Sequence, residues 1–203
     1  MAQSSMAEGA SSPPILGVGA FALRPLRLGD EGAWHAYLRV PGTTEHTSFP
    51  AVTPEAVRNW VERALAGYAA GGPYRWALVN AADILVGTCG FSAWSVPHGH
   101  AELVYDLNPE YQHQGLMTQT VAVALQWVWS STCFHRIHAY VMTSNRPSIA
   151  LLERAGFECE GTLKAFRIAR GTPRDFHVYA RLRTGVAGSG QTGILRDDSG
   201  RVP

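Results

Sequence analysis

Between a strand-like run at residues 101–107 and a strongly apolar run at 116–129 lies Asn108-Pro109-Glu110-Tyr111-Gln112-His113-Gln114-Gly115-Leu116-Met117-Thr118. The apolar run spaces Met117, Val121, Ala124, Leu125 and Val128 so that they share one helical face. The segment before it is therefore a turn that opens a helix. Such a turn gathers unpaired backbone N–H groups and the positive end of the helix dipole at one point, which suits a phosphate. Gly115 has no Cβ and lets the backbone approach that ligand closely. No Gly-Lys-Ser/Thr follows, so no lysine of the P-loop kind reaches for a β- or γ-phosphate, which argues against a nucleotide-binding protein built on the same helix start.

A chain of 203 residues fits one domain, and 46% hydrophobic residues supply a sizeable core. With 16% charged residues and a net charge of +1, it lacks the basic footprint of a nucleic-acid binder. The one charge-rich patch, Lys164, Arg167, Arg170 and Arg174, reads as a solvated hairpin. Cys89, Cys133 and Cys159 are too few and too scattered for a disulfide framework or a metal site, which points to a reducing cytoplasm. His98-Gly99-His100 has no clustered ligands beside it and reads as a solvated turn, so no metal is expected. Neither a signal peptide nor a membrane span is expected. Residues 1–17 and 184–203 are rich in Gly and Ser and read as disordered tails around a body at 18–183.

Within the body, 21–26 reads as a strand and 31–39 as a helix capped by Asp30. Residues 40–52 form an irregular loop, and Thr53-Pro54-Glu55 starts a second helix that runs to about residue 68. Strands follow at 75–80 and 84–92, joined as a hairpin, and then at 101–107. The apolar helix leads to a strand at 135–141, which a βαβ crossover makes parallel to 101–107. A short helix at 148–155, stopped by Gly156, precedes a hairpin of strands at 159–168 and 174–182. The fold class is α/β, a mixed α+β arrangement of about seven strands in the order β-α-α-β-β-β-α-β-α-β-β.

The pattern Gln112-x-x-Gly115-x-Met117 resembles the pyrophosphate loop of the GNAT superfamily, the acetyl-CoA-dependent N-acetyltransferases, with Met117 where Gly or Ala is usual. Asn145-x-x-Ser148-x-x-Leu151-Leu152-x-x-x-Gly156-Phe157 resembles that family's second block, at the spacing the family keeps. Ala101-Glu102-Leu103-Val104-Tyr105 and Glu160-Gly161-Thr162-Leu163 are similar to the branch that acetylates ribosomal-protein N-termini, a branch that also holds antibiotic- and metabolite-modifying enzymes.

The resemblance implies a GNAT fold that takes acetyl-CoA as donor and an amine as acceptor, on a protein N-terminus or a small molecule. A second copy of the chain is left open as a homodimer partner. It assigns the N–H of Val104 or Tyr105 to the thioester carbonyl, and the N–H groups of Gln114, Gly115, Leu116, Met117 and Thr118 to the pyrophosphate, with Gln112 at the loop entrance. Asn145 bonds the pantetheine arm or is a plain turn residue. Ser148 protonates the departing thiolate or only caps a helix; the tyrosine that many relatives place four residues on is Leu152 here. Glu102 is the best-placed base or a paired strand carboxylate, with Asp106 on its face unless a bulge near Val104 intervenes. Phe49, Phe166, Arg167 and Arg174 are the expected acceptor wall. The competing class is a non-catalytic acyl-CoA-binding module, favoured by Met117 and Leu152.

Overall fold

The computed structural model describes residues 13–49 and 52–184; of the tails expected at 1–17 and 184–203, residues 1–12 and 185–203 lie outside the described residues. The sheet starts earlier than expected. Leu16–Val18 (β1) pairs antiparallel with Phe21–Pro25 (β2), so Leu16 and Gly17 belong to the body. Three residues are too short a run to show alternation, but Val18 is fully packed and the Trp76 indole donates to the Pro14 carbonyl at 2.9 Å.

Asp30–Leu38 (α1) and Pro54–Ala69 (α2) follow. The cap expected at Asp30 falls one residue earlier, on Gly29 in the left-handed region at φ 101°. Asp30 is instead buried in the first turn, where Arg24 donates to both its carboxylate oxygens at 2.8 Å. Thr53 caps α2 as expected, its hydroxyl accepting from the Ala56 N–H at 3.1 Å with Pro54 behind it.

Arg75–Val79 (β3), Leu85–Ser95 (β4) and His100–Leu107 (β5) run antiparallel, and Leu116–Ser131 (α3) crosses over to Arg136–Met142 (β6), parallel to β5. Arg146–Arg154 (α4) leads to Glu158–Ala169 (β7) and Thr172–Leu182 (β8). Eight strands form one sheet, ordered β1-β2-β3-β4-β5-β6-β8-β7, so the last strand inserts between β6 and β7. Neighbouring residues of a strand point to opposite faces. Arg75 lies on the α1 residue Trp34, whereas Trp76 packs on the α3 residue Trp127, so α1 and α3 cover opposite faces.

Candidate active site

The β5–β6 ladder closes only from His100↔Arg136 to Glu102↔His138. Beyond that the two strands part. On its other side β5 stays in unbroken register with β4 from Glu102 to Leu107, and the irregularity sits on β4 between Ser92 and Ser95. No bulge therefore inverts β5, and Glu102 and Asp106 share a face. The Asn108 N–H bonds the Val86 carbonyl, and the Gly99 carbonyl accepts from His135. Counting alternately along the strand, even-numbered residues turn their backbone groups to β4 and odd-numbered ones to β6. The Val104 N–H is thus committed to β4, which corrects its assignment as a donor, although its side chain lines the fork. Tyr105 turns its N–H into the gap.

The turn after β5 is a short 3-10 stretch, Pro109–Tyr111, which Asn108 caps by accepting from the Glu110 N–H at 3.1 Å. The glutamine side chains brace the turn from within. Gln112 Nε2 donates to the Leu107 carbonyl at 3.2 Å, and Gln114 Nε2 donates to the Glu110 carbonyl at 3.2 Å. Gly115 sits at φ 73° as the N-cap of α3, and no side chain caps that helix. The first-turn N–H groups of Leu116, Met117 and Thr118 are the donors such a helix leaves over. The Leu116 and Met117 side chains are both buried in the core, so Met117 in place of a smaller residue stands away from the ligand side.

At the start of α4, Asn145 rather than Ser148 is the cap. Its Oδ1 accepts from the Ser148 N–H at 3.2 Å, and the helix begins at Arg146, two residues before the expected start. The Asn145 NH₂ group is left as a donor beside the fork. The Ser148 side chain neighbours the Tyr105 phenol. Burial pushes that phenol well above its usual value, the Ser148 side chain pulling the other way, so it stays protonated. Leu152 is buried in the core.

Ser148→Ala removes no cap, so its melting temperature should stay within about 2 °C of the parent. Turnover should fall on the order of 10²-fold, the low end for acid–base catalysis, because the Tyr105 phenol remains. Asn145→Ala should lose about 1 kcal/mol of stability with its cap and weaken cofactor binding by about one hydrogen bond, ~1 kcal/mol. Near-normal turnover in Ser148→Ala would assign the proton to the Tyr105 phenol or to water.

A cavity of about 170 Å³ opens at the fork, where Glu102, Tyr105, Asn145 and Ser148 meet Phe49 and Arg167. Arg167 donates to Glu102 Oε1 at 3.3 Å, so this carboxylate is both paired and cleft-facing. Phe166 is exposed and packs at a tilt against Tyr140, outside the lining. Arg174 lies across the hairpin from Arg167, exposed, and lines neither this cavity nor the one beside it, so that part of the expected wall is not brought in. The loop after α1 does meet the hairpin: Arg170 donates to Thr44 at 3.5 Å, and a second cavity shares Thr47, Ser48 and Phe49 with the first.

Sequence reasoning missed Arg75, which lines the cavity from β3. Its guanidinium bonds Asp106 Oδ2 at 2.6 Å and the Thr88 hydroxyl at 2.8 Å, and it covers the Trp34 ring. The Tyr37 hydroxyl donates to the same carboxylate, its own pKa held far up by burial and then by the Asp106 charge. Only the pairing of these residues across strands marks them. Among the described residues no group of three His, Cys, Asp or Glu could hold a metal ion, and no helix is long and apolar enough to cross a membrane.

Residues 21–158 match the family model described as the acetyltransferase (GNAT) domain, more than half of the chain. The chain belongs to the GNAT family. Among its GNAT relatives, an uncharacterised N-acetyltransferase, YoaA, of Bacillus subtilis is 35% identical over 96 residues, 47% of this chain and 54% of the relative. The ribosomal protein uS5-alanine N-acetyltransferase of Escherichia coli is 35% identical over 101 residues, 49% of this chain and 52% of that protein. The match thus spans about half the length of these curated relatives. The structure of the ribosomal-protein-S5-alanine acetyltransferase from Vibrio fischeri superposes with a TM-score of 0.77 at 19% identity, over 85% of this chain and 98% of that one. A ribosomal L7/L12 α-N-protein acetyltransferase, RimL, in complex with coenzyme A gives 0.76 at 21% identity, over 83% and 98%. At such identities these two show a common GNAT fold.

Proposed function

We propose that this chain transfers the acetyl group of acetyl-CoA to a primary amine by direct attack of the amine on the thioester. The observation that carries this is the β5–β6 fork, with a free backbone donor at Tyr105 on one side and an uncapped, glycine-led helix start at its end. Coenzyme A supplies the activated acyl group on a good leaving thiol. The residues present fit it. The N–H groups from Gly115 to Thr118 would hold the pyrophosphate, and the Asn145 NH₂ would hold the pantetheine arm. The Tyr105 N–H would meet the carbonyl oxygen, where negative charge grows as the amine attacks. The Tyr105 phenol and the neighbouring Ser148 hydroxyl provide a proton for the departing sulfur. Glu102 stands as the carboxylate for the amine's proton.

The acceptor class follows less directly. The uS5- and L7/L12-modifying proteins are named for protein N-termini, and we extend that class to this chain beside small-molecule amines. Three free cysteines agree with a reducing, cytoplasmic setting. The alternative, an acyl-CoA-binding module without transfer, loses support at Met117, whose side chain is buried away from the fork, while Leu152 lines the cavity as an apolar wall. The test is thiol release from acetyl-CoA with a panel of N-terminal peptides, aminoglycosides, polyamines and amino acids. Release above hydrolysis with at least one amine is expected. Tight coenzyme A binding with no acceptor-dependent release across the panel would favour the binding module.

A further inference from the structure

Arg167 is held in a box of aromatic rings. Its guanidinium carbon lies 5.0 Å from the ring centre of Tyr140, 5.1 Å from Phe166 and 5.6 Å from Phe176. Phe166 closes the box, 4.9 Å from Tyr140 and 6.0 Å from Phe176. The fourth side is the Glu102 carboxylate, whose side chain is 14% exposed. Three π faces and one carboxylate are recognition chemistry for an organic cation. Glu102, Tyr140, Arg167 and Phe176 all line the fork cavity, as do Tyr105 and Ser148.

The strand is shaped where it delivers Arg167. Register on β7 shifts between Leu163 and Arg167, and Ala165, a residue with a Cβ, sits in the left-handed region at φ 49°. Asp175 clamps the irregularity, accepting from the Ala165 N–H at 2.9 Å and the Lys164 ammonium at 2.8 Å. Bulges bend the strand that carries them and recur beside active sites. This one immediately precedes Phe166 and Arg167.

We propose that the box is the binding site for the acceptor's ammonium group, and that Arg167 is a resident stand-in displaced when a cationic amine enters. Arg167 is displaceable. It makes one 3.3 Å bond to Glu102 and contacts three ring faces, its side chain is 35% exposed, and at such partly exposed sites each of these contributes little. An amine with a pKa near that of lysine, about 10.4, arrives charged at neutral pH and meets the same carboxylate and the same ring faces. The acceptor class is therefore a primary alkylamine taken up as its ammonium, in preference to a neutral or anionic amine. Only the occupant's identity as an acceptor rests on the acetyl-transfer function; the cation site itself does not.

Tetramethylammonium tests the site, because it is a cation that cannot be acetylated. Calorimetric titration of the full chain should show weak binding to the parent and at least tenfold tighter binding to Arg167→Ala. Arg167→Ser is the second variant should Arg167→Ala fold poorly, and it should show the same gain. Adding Glu102→Gln to either should erase the gain. Equal affinity in the parent and both Arg167 variants, or a gain that survives Glu102→Gln, would overturn the proposal. A tenfold gain in a protein that releases no thiol with any amine would leave the cation site standing and overturn the transfer function instead.

Discussion

Replacing Gly115 by leucine is expected to weaken coenzyme A binding by about 10²-fold or more while lowering the melting temperature by only a few degrees. Gly115 is left-handed at φ 73°, and a residue with a Cβ costs roughly 1–2 kcal/mol there. A Cβ built on Gly115 meets no protein atom within 4 Å. The protein therefore has room for the side chain, and the space it takes is the approach to the uncapped N-terminus of α3. Charge-assisted bonds to several N–H groups contribute about 1.5–3 kcal/mol each, so blocking that approach removes most of the affinity. Gly29→Leu is the matched control. Gly29 is also a left-handed N-cap with open space around its Cβ, but it starts α1 on the other face of the sheet. Calorimetry with coenzyme A should separate the two variants. If Gly115→Leu binds as tightly as Gly29→Leu, the pyrophosphate does not sit on this turn.

Asp106→Ala is expected to destabilise the fold by about 3–5 kcal/mol, the cost of removing one partner from a buried ion pair. The Asp106 side chain is 8% exposed, and it accepts from Arg75, from Thr88 at 2.7 Å and from the Tyr37 hydroxyl. Alanine would leave a guanidinium that is 19% exposed without its counter-charge and two buried hydroxyls without an acceptor. A domain of this size loses roughly 2–4 °C per kcal/mol, so the melting temperature should drop by about 10 °C. Asp106→Asn keeps an acceptor for the hydroxyls and should recover part of the loss. A shift under about 2 °C for the alanine variant would mean that solvent reaches the network and that it contributes little. Arg75 also lines the fork cavity, so loosening it should disturb the acceptor side as well.

Features that depend on a few consecutive residues were open to inspection in the chain alone. Thr53-Pro54 starts α2 because a hydroxyl cap and a fixed proline φ act within one turn of the helix. Gly115 begins α3 because an apolar face at helical spacing follows a residue that adopts positive φ freely. The crossover from β5 through α3 to β6 is parallel, as the strand–helix–strand order requires. Even here capping was the weak point. Asp30 and Ser148 both have capping side chains, yet Asp30 is taken by Arg24 and the Ser148 N–H is itself capped, leaving the caps to Gly29 and Asn145. A polar side chain near a helix start satisfies whichever partner the tertiary fold brings closest, and local sequence does not rank those partners.

The sequence by itself determined the order of elements from β2 onward, the phosphate-type turn before α3, and Asn145 and Ser148 at the start of α4. Each follows from periodicity, residue conformational freedom or short-range hydrogen bonding. Only the tertiary structure decided the rest. Insertion of β8 beside β6, the point where β5 and β6 part, and the choice of the Tyr105 N–H over that of Val104 are matters of strand pairing and register. Arg167 meets Glu102 across 65 residues, and Asp106 gathers Arg75 and Tyr37 from 31 and 69 residues away. Those meetings carry no local signature, because charge and aromatic pairing act through space once the sheet has closed.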